Sequence, residues 1–349
     1  METTLSTAGE ALVLECIPGW VSSLLDEFLA GEGNVSDPAP HPLRIRVEGS
    51  RRAFATEGWT LLTRGAWVRD QALVMRDVCT SGFDLLFRWS PNAAALTFRW
   101  NPPPATRAVN LALRSRFHLL ARMVLVQYPA LWWAGTHGRV PLHAPAYSTA
   151  GLVPLLAGPG GVGKTTLLAR ELAAGASAIS DNLSVGDGEQ VWGLVEPMRA
   201  EHLTGRRMPH GRREGQLPNR VAVLAPNRVV VLRRGTAPTA EVRPCDPDTA
   251  ARVLTAGTYM AGELRRYWAF AATLTLASGF GPAHPPVADV ARAFAARLPC
   301  IEVALPSVRG SRLSELLDSM SVETPSPAPG ESGSAPADGA SAGGQVPAG

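Results

Sequence analysis

The sequence predicts an α/β fold, and three observations lead to it. A short apolar run, residues 152–157, enters a glycine-rich stretch that opens into an amphipathic helix over residues 165–174, closed by Gly175. A second short apolar run, residues 178–180, then ends in Asp181. Strand, loop, helix and strand in that order mark a parallel sheet with a crossover helix. Residues 43–100 read differently, as short strands separated by turn residues, so an α+β N-terminal region precedes the α/β core.

The glycine-rich stretch is Gly158-Pro159-Gly160-Gly161-Val162-Gly163-Lys164-Thr165-Thr166 and fits the pattern G-x-x-x-x-G-K-[ST]. Glycines let backbone N–H groups turn toward one centre, and the helix that follows points its positive end at the same place. Lys164 is placed to reach the β- and γ-phosphates of a nucleoside triphosphate, and the Thr165 hydroxyl to ligate Mg²⁺. ATP with Mg²⁺ is therefore the expected ligand pair. The alternative is a glycine-rich turn with no ligand, but an apolar strand before the loop and an amphipathic helix after it are the context the motif requires. Basic residues number 33, and Lys164 is the one lysine among them. In an arginine-rich chain, a single lysine marks a place where a compact ammonium serves and a planar fork does not.

Within the N-terminal region, strands are expected over residues 43–47, 66–68, 73–76, 83–89 and 95–100, with a helix near residues 20–30 and a loop after it. Apolar spacing predicts a continuous helix over residues 106–128. The apolar segment 117–133 contains Arg122, Gln127 and Pro129 and reads as a core helix and its exit, not a membrane span. Pro154 lies inside the strand before the loop, where a bulge would accommodate it. Beyond Asp181, Gly186-Asp187-Gly188 signals a hairpin. Residues 197–220 read as a long irregular segment, and residues 221–225 and 229–232 as strands around a Pro226–Asn227 turn. Asp246 with Pro247 caps a helix, further helices fall near 259–277 and 286–298, and a strand covers 301–304. The organisation expected is an N-terminal region 1–135, a core 136–321 and a Pro/Gly/Ser/Ala tail 322–349 with too few large apolar groups to fold.

A strand-end acid near the loop is needed for chemistry. The strand 229–232 ends in Arg233, so it supplies none, and Asp181, seventeen residues after Lys164, is the best candidate. Residues 139–305 resemble the catalytic domain of HPr kinase/phosphatase and, more distantly, phosphoenolpyruvate carboxykinase. His143 stands fifteen residues before Gly158, and the separations of His143 and Asp181 from the loop are similar to that family's. The stretch Leu142-His143-Ala144 also resembles shorter bacterial relatives, some of which phosphorylate serine on peptides.

The resemblance implies a strand–loop–helix core of HPr-kinase/carboxykinase type, with Asp181 accepting the proton of an attacking hydroxyl and His143 tuning it. The family's second Asp, tied to Mg²⁺, is matched by Asn182, and Glu196 is the nearest match to its second metal-binding Glu. The activity implied is transfer of the ATP γ-phosphate to a hydroxyl, a serine of a protein or peptide. The alternatives are an ATP-binding regulator with weak transfer, for which Asn182 speaks, and a carboxykinase-like enzyme on a small acid.

The segment 199–220 is strongly basic. It reads either as a solvated loop or as a source of arginines, among them Arg206, Arg207, Arg212 and Arg213, that stabilise phosphoryl transfer or hold an acidic peptide. A net charge of +3 and the lack of interleaved aromatic residues in this segment speak against nucleic acid. Cys16, Cys79, Cys245 and Cys300 are scattered without a C-x-x-C pair, which argues against a zinc site or disulfide framework and suits a cytoplasmic protein. No membrane partner is expected, and homo-oligomerisation is left open.

Overall fold

The computed structural model describes residues 2–29, 41–91, 93–201, 203–208, 211–306 and 312–322. The loop expected after the first helix, His202 and His210 of the basic segment, and residues 323–349 of the expected tail lie outside them. The protein is mixed α/β with one large mixed sheet, smaller sheets and several helices.

The large sheet contains β1 (Glu2–Thr7), β2 (Glu10–Cys16), β3 (Leu43–Glu48), β4 (Thr60–Thr63), β5 (Ala66–Arg69), β6 (Ala72–Met75), β7 (Phe83–Ser90) and β8 (Ala93–Trp100), in the order β1-β2-β3-β8-β7-β6-β5-β4. β2–β3 and β3–β8 are parallel and the other pairs antiparallel. The strands expected from alternation are present to within about two residues at their ends. β1 and β2 were not anticipated; they form a hairpin whose apolar residues fill the centre of the same core as helix α1 (Trp20–Leu29).

The continuous helix expected over 106–128 is broken. Helix α2 (Pro104–Ala112) ends at Leu113, whose backbone leaves the helical region (φ −111°, ψ 57°), and α3 (Arg114–Arg122) begins beyond it. A wide π turn over Met123–Gln127 then leads into α4 (Tyr128–Thr136). Pro129 has no N–H to donate, and its ring crowds the carbonyl four residues back. A wider turn just before it relieves that crowding. Segment 117–133 is a buried core helix, as its composition suggests.

The second half centres on β11 (Pro154–Ala157), which pairs parallel with β18 (Arg228–Arg234), itself parallel to β20 (Cys300–Leu305); β19 (Glu241–Pro244) closes the edge antiparallel. β9 (Val140–Leu142) and β10 (Tyr147–Ser148) precede β11, and β12 (Ser177–Ala178), β13 (Ser184–Gly186), β14 (Val191–Gly193), β15 (Met198–Ala200), β16 (Arg213–Gly215) and β17 (Val223–Leu224) lie between β11 and β18. The helices are α5 (Lys164–Ala173), α6 (Pro247–Tyr259), α7 (Tyr267–Ser278), α8 (Val287–Arg297) and α9 (Leu313–Val322).

Side-chain alternation explains the layering. Leu155, Ala157, Val229 and Val231 bury into one apolar cluster with α6 and α8, while Leu156, Val230, Leu232 and Val303 bury into another with α5 and the first turns of α9. A sheet covered on both faces is what near-continuous apolar strands require. Glu171 of α5, fully buried, accepts from the Ser314 amide at 3.0 Å and from its hydroxyl, which holds α9 in place.

Three expectations are corrected. The strand after the helix does not join the sheet of the glycine-rich loop: β12 pairs antiparallel with β10, and the parallel neighbour of β11 is β18. Pro154 needs no bulge, because it is the first residue of its strand. Residues 197–220 are not irregular throughout, since β15 and β16 pair antiparallel as the base of an arm. The 184–193 hairpin forms, with Asp187 Oδ1 accepting from the Glu189 and Gln190 amides at 2.8 Å, and Asp246 caps α6 at the Thr249 amide.

The arm is anchored by a buried ion pair. Arg122 Nη2 of α3 reaches both carboxylate oxygens of Glu214, at 2.6 and 2.8 Å. Removing one partner leaves a buried charge alone, which costs about 3–5 kcal/mol. Arg122→Ala should therefore lower the urea midpoint sharply, and Arg122→Met with Glu214→Leu should recover most of the loss. A single variant as stable as the parent would show that the pair anchors nothing.

Candidate functional site

β11 ends at Ala157, and the chain turns through Gly158–Gly163 into α5. The turn is tight. A Cβ on Gly158 would lie 2.9 Å from the Leu232 carbonyl oxygen of β18, and one on Gly257 of α6 would lie 3.0 Å from the Gly158 carbonyl oxygen. Gly163, immediately before the helix, holds φ +122°, which side chains beyond glycine rarely adopt. Gly160 and Gly161 face open space and, with Pro159 and Thr166, are exposed, whereas Val162 packs into the core beside α5.

Lys164 starts the helix and is buried. Its Nζ donates to the loop's own carbonyls, to Gly158 at 2.8 Å and Pro159 at 3.3 Å. Burial holds its ammonium down to about 8, against the pull of the Glu263 and Asp181 carboxylates. Arg234 at the end of β18 donates to the Gly161 carbonyl at 2.7 Å.

Asp181 follows β12 and reaches the first turn of α5. Burial raises its carboxyl to about 6, while the nearby Thr165 hydroxyl and the charges of Arg199 and Arg212 hold it lower. Its Oδ2 accepts from the Arg199 amide at 3.2 Å, and its Oδ1, buried, has no hydrogen-bond partner among the described residues. A buried carboxylate oxygen left open is costly unless it has work to do.

His143, after β9, is buried between two elements. Its Nδ1 donates to the Gly257 carbonyl at 3.1 Å, its amide donates to Thr258 Oγ1, and its Nε2 lies 2.7 Å from Asn182 Oδ1. With Nδ1 protonated, the neutral ring has only a lone pair at Nε2, so the neutral form requires the Asn182 amide flipped end for end to present its NH₂ in place of Oδ1. Burial first and the Lys164 charge second hold His143 below its ordinary value, which favours that neutral form.

Glu196 is fully buried. Its Oε1 accepts from the amides of Asn182 at 2.6 Å and Leu183 at 2.8 Å, so it braces the turn that carries Asp181. Burial pushes its carboxyl up to about 8, partly countered by Arg199 and reinforced by Asp181. Of the residues expected to face a metal, Glu196 is engaged by two backbone amides and Asn182 by His143, while the Thr165 hydroxyl is a hard oxygen donor of the kind Mg²⁺ takes. No group of three or more His, Cys, Asp or Glu side chains among the described residues is arranged to hold a metal ion.

The basic segment divides. Arg206 pairs with Glu27 of α1 and touches His118 of α3, Arg213 donates to the Gly205 carbonyl at 3.1 Å, and the Arg207 carbonyl accepts from Ser115. Arg199 and Arg212 are the arginines whose charge reaches Asp181. Glu263, in a 3₁₀ turn between α6 and α7, acts electrostatically on both His143 and Lys164 and lies 3.5 Å from Arg199. Sequence reading missed Glu263, Gly257, Thr258 and Arg234, which lie far along the chain and carry no motif.

No family model matches the chain, and no curated protein matches it. Cys16, Cys79, Cys245 and Cys300 form no disulfide, and among the described residues no helix is long and apolar enough to cross a membrane.

The raised carboxyls set a pH dependence. Asp181 and Glu196 hold protons more tightly folded than unfolded, so their contribution to stability is full below the ordinary carboxylate range and is lost as pH rises through about 6 and about 8. Lys164, held down to about 8, works in the opposite sense and returns stability above that pH. Glu196→Gln keeps the acceptor for both amides and removes the titration. Its urea midpoint should decline less than the parent's between pH 5 and 8, whereas Glu196→Ala, which strands two amides at about 1–3 kcal/mol each, should be less stable throughout. Equal pH slopes in the parent and Glu196→Gln would refute the buried protonated carboxyl.

Proposed function

We propose that residues 158–166 form a phosphate-binding P-loop and that the protein is an ATP-dependent phosphotransferase of HPr-kinase-like type, moving the γ-phosphate to a hydroxyl of a protein or peptide, with serine favoured. The observation that carries this reading is the buried Asp181 oxygen without a partner, set beside the helix start that bears Thr165 and the single lysine. A strand end, a helix N-terminus and an acid converging on one point suit phosphoryl transfer better than a structural turn.

In this mechanism the loop amides and the start of α5 hold the triphosphate. Lys164, now on its own loop's carbonyls, exchanges them for phosphate oxygens. Asp181, raised to about 6 and so ionised near neutral pH, takes the proton of the acceptor hydroxyl. The hydroxyl oxygen bonds to the γ-phosphorus as the bond to the β–γ bridging oxygen breaks, and ADP leaves with that electron pair. Lys164 and Arg212 stabilise the spread negative charge. Bound Mg²⁺, held on the protein side by the Thr165 hydroxyl, would neutralise charge on the phosphate oxygens. Neutral His143 orients Asn182 and, through Gly257, ties α6 to the loop.

A second reading, a nucleotide-binding regulator with weak transfer, draws on Asn182. Its amide is hydrogen-bonded to His143 and adds no charge at the site.

Two outcomes are expected. Lys164→Arg should fold normally yet bind ATP at least about tenfold more weakly by calorimetry, a loss of about 1.4 kcal/mol, because the guanidinium is too wide for the cradle. Undiminished binding in a folded Lys164→Arg protein would end the P-loop reading. Asp181→Asn should keep ATP binding and lose turnover by about 10²–10⁴-fold, measured on acceptor or as slow hydrolysis by water. Parental turnover in Asp181→Asn would remove the base from the mechanism.

A further inference from the structure

Two cavities adjoin each other on the side of the molecule where α1, α2 and α3 meet the β15–β16 arm. One, of about 710 Å³, lies over Trp20, Trp100, Leu111 and Phe117; the other, of about 580 Å³, runs along the arm to Glu196. Glu27 and Arg206 line both, so they form one trough that starts on the N-terminal helices and ends at the carboxyl bracing the Asp181 turn.

The trough has an apolar floor and a basic rim. Trp20 is 42% exposed and Leu111 56%. Exposed apolar side chains inside a cavity are suited to covering an apolar occupant. Arg51, Arg107 and Arg114 stand on the rim, exposed and without an ion pair among the described residues. The acid lining the trough there, Glu27, is taken by Arg206. The surface thus offers uncompensated positive charge beside apolar area.

We propose that this trough docks an extended acidic peptide segment carrying apolar side chains and, resting on the phosphotransferase reading above, that this segment delivers the acceptor hydroxyl toward Asp181. Acidic side chains would pair with Arg107 and Arg114 while apolar ones cover Leu111 and Trp20. A single-stranded nucleic acid would also meet positive charge, but it needs free aromatic faces. Here the rings pack on one another: Trp20 lies 5.2 Å from Trp100 and 5.5 Å from Phe117, centroid to centroid. That favours side chains in the gaps over stacked bases.

The test is nucleotide-free binding to the full chain, followed by tryptophan fluorescence at low and moderate salt. The probes are a synthetic peptide alternating Glu or Asp with Leu or Phe around one serine, the same peptide with Lys replacing the acids, and an oligothymidylate. The acidic peptide should bind saturably, more weakly as salt rises, and at least tenfold more weakly to Arg107→Glu with Arg114→Glu and to Leu111→Asp. Both variants lie on exposed positions, and unchanged melting and ATP binding confirm that each is folded. The proposal is overturned if the acidic peptide fails to bind, if the variants bind it as the parent does, if the Lys peptide binds as well, or if oligothymidylate binds as tightly and displaces it. The kinase reading is judged separately, by Asp181→Asn turnover.

Discussion

The parallel pairing of Pro154–Ala157 with Arg228–Arg234 sets the position of everything at the site. It brings the end of one strand so close to the Leu232 carbonyl that only glycine fits at residue 158, and it places α6 so that Gly257 closes on the same turn. From that point the chain has to leave as a helix, because α5 buries Leu167, Leu168 and Leu172 against the outer face of the two strands. The loop is therefore held by packing on three sides, and its exposed tip, Pro159 to Gly161, is left facing outward. A rigid strand pair supporting a glycine turn at its carboxyl end is a common way for α/β sheets to present backbone amides to a ligand.

Around this frame, acids and bases share a poorly solvated space. Lys164, Asp181 and Glu196 are all displaced from their ordinary protonation behaviour, with burial as the leading cause for each. Burial alone would neutralise them all. The arginine charges of residues 199 and 212 and the Thr165 hydroxyl keep Asp181 the more acidic of the two carboxyls, while burial and Asp181's charge raise Glu196 against the two amides and Arg199, which lower it. Two carboxyls in one pocket thus divide into a charged one near the loop and a neutral one that braces it. Groups with separated affinities for protons are the pattern by which acid and base roles are assigned.

The N-terminal region contributes to the same site by contact. Arg122 grips Glu214 of the arm, Gln127 donates to the Val195 carbonyl next to Glu196, and the Tyr128 hydroxyl donates to the Glu263 carbonyl at 2.7 Å. Leu183, Val185, Leu194 and Val195 belong to the large apolar cluster of the N-terminal sheet. The helix with the π turn, obliged to widen before Pro129, thereby supports both sides of the Asp181 turn. Truncation before residue 136 would expose that cluster and leave the turn without its support.

Much of this was legible without coordinates. Local rules operate over a few residues, and they located the loop, the helix start at Lys164, the hairpin around Asp187, the Asp246 cap and most strands of the large sheet, since turn chemistry and side-chain alternation are written in neighbouring residues. The end of a short apolar run gave Asp181 as a candidate acid, and the family resemblance pointed to His143 as its companion; alternation gave the strands. It could not say which strand lies beside which. β12 left the loop's sheet for β10, β18 took its place, and β1 with β2 joined the large sheet, because partner choice depends on which apolar faces are covered together across the whole chain. The arginines divided for the same reason: Arg206 found Glu27, almost two hundred residues away in sequence, while Arg199 and Arg212 remained beside Asp181. The sequence by itself located the glycine-rich loop, its single lysine and its nearest acid. Only the tertiary structure decided that Glu263, Gly257 and Glu196 complete the site, because burial and charge act through space between segments that share no local pattern.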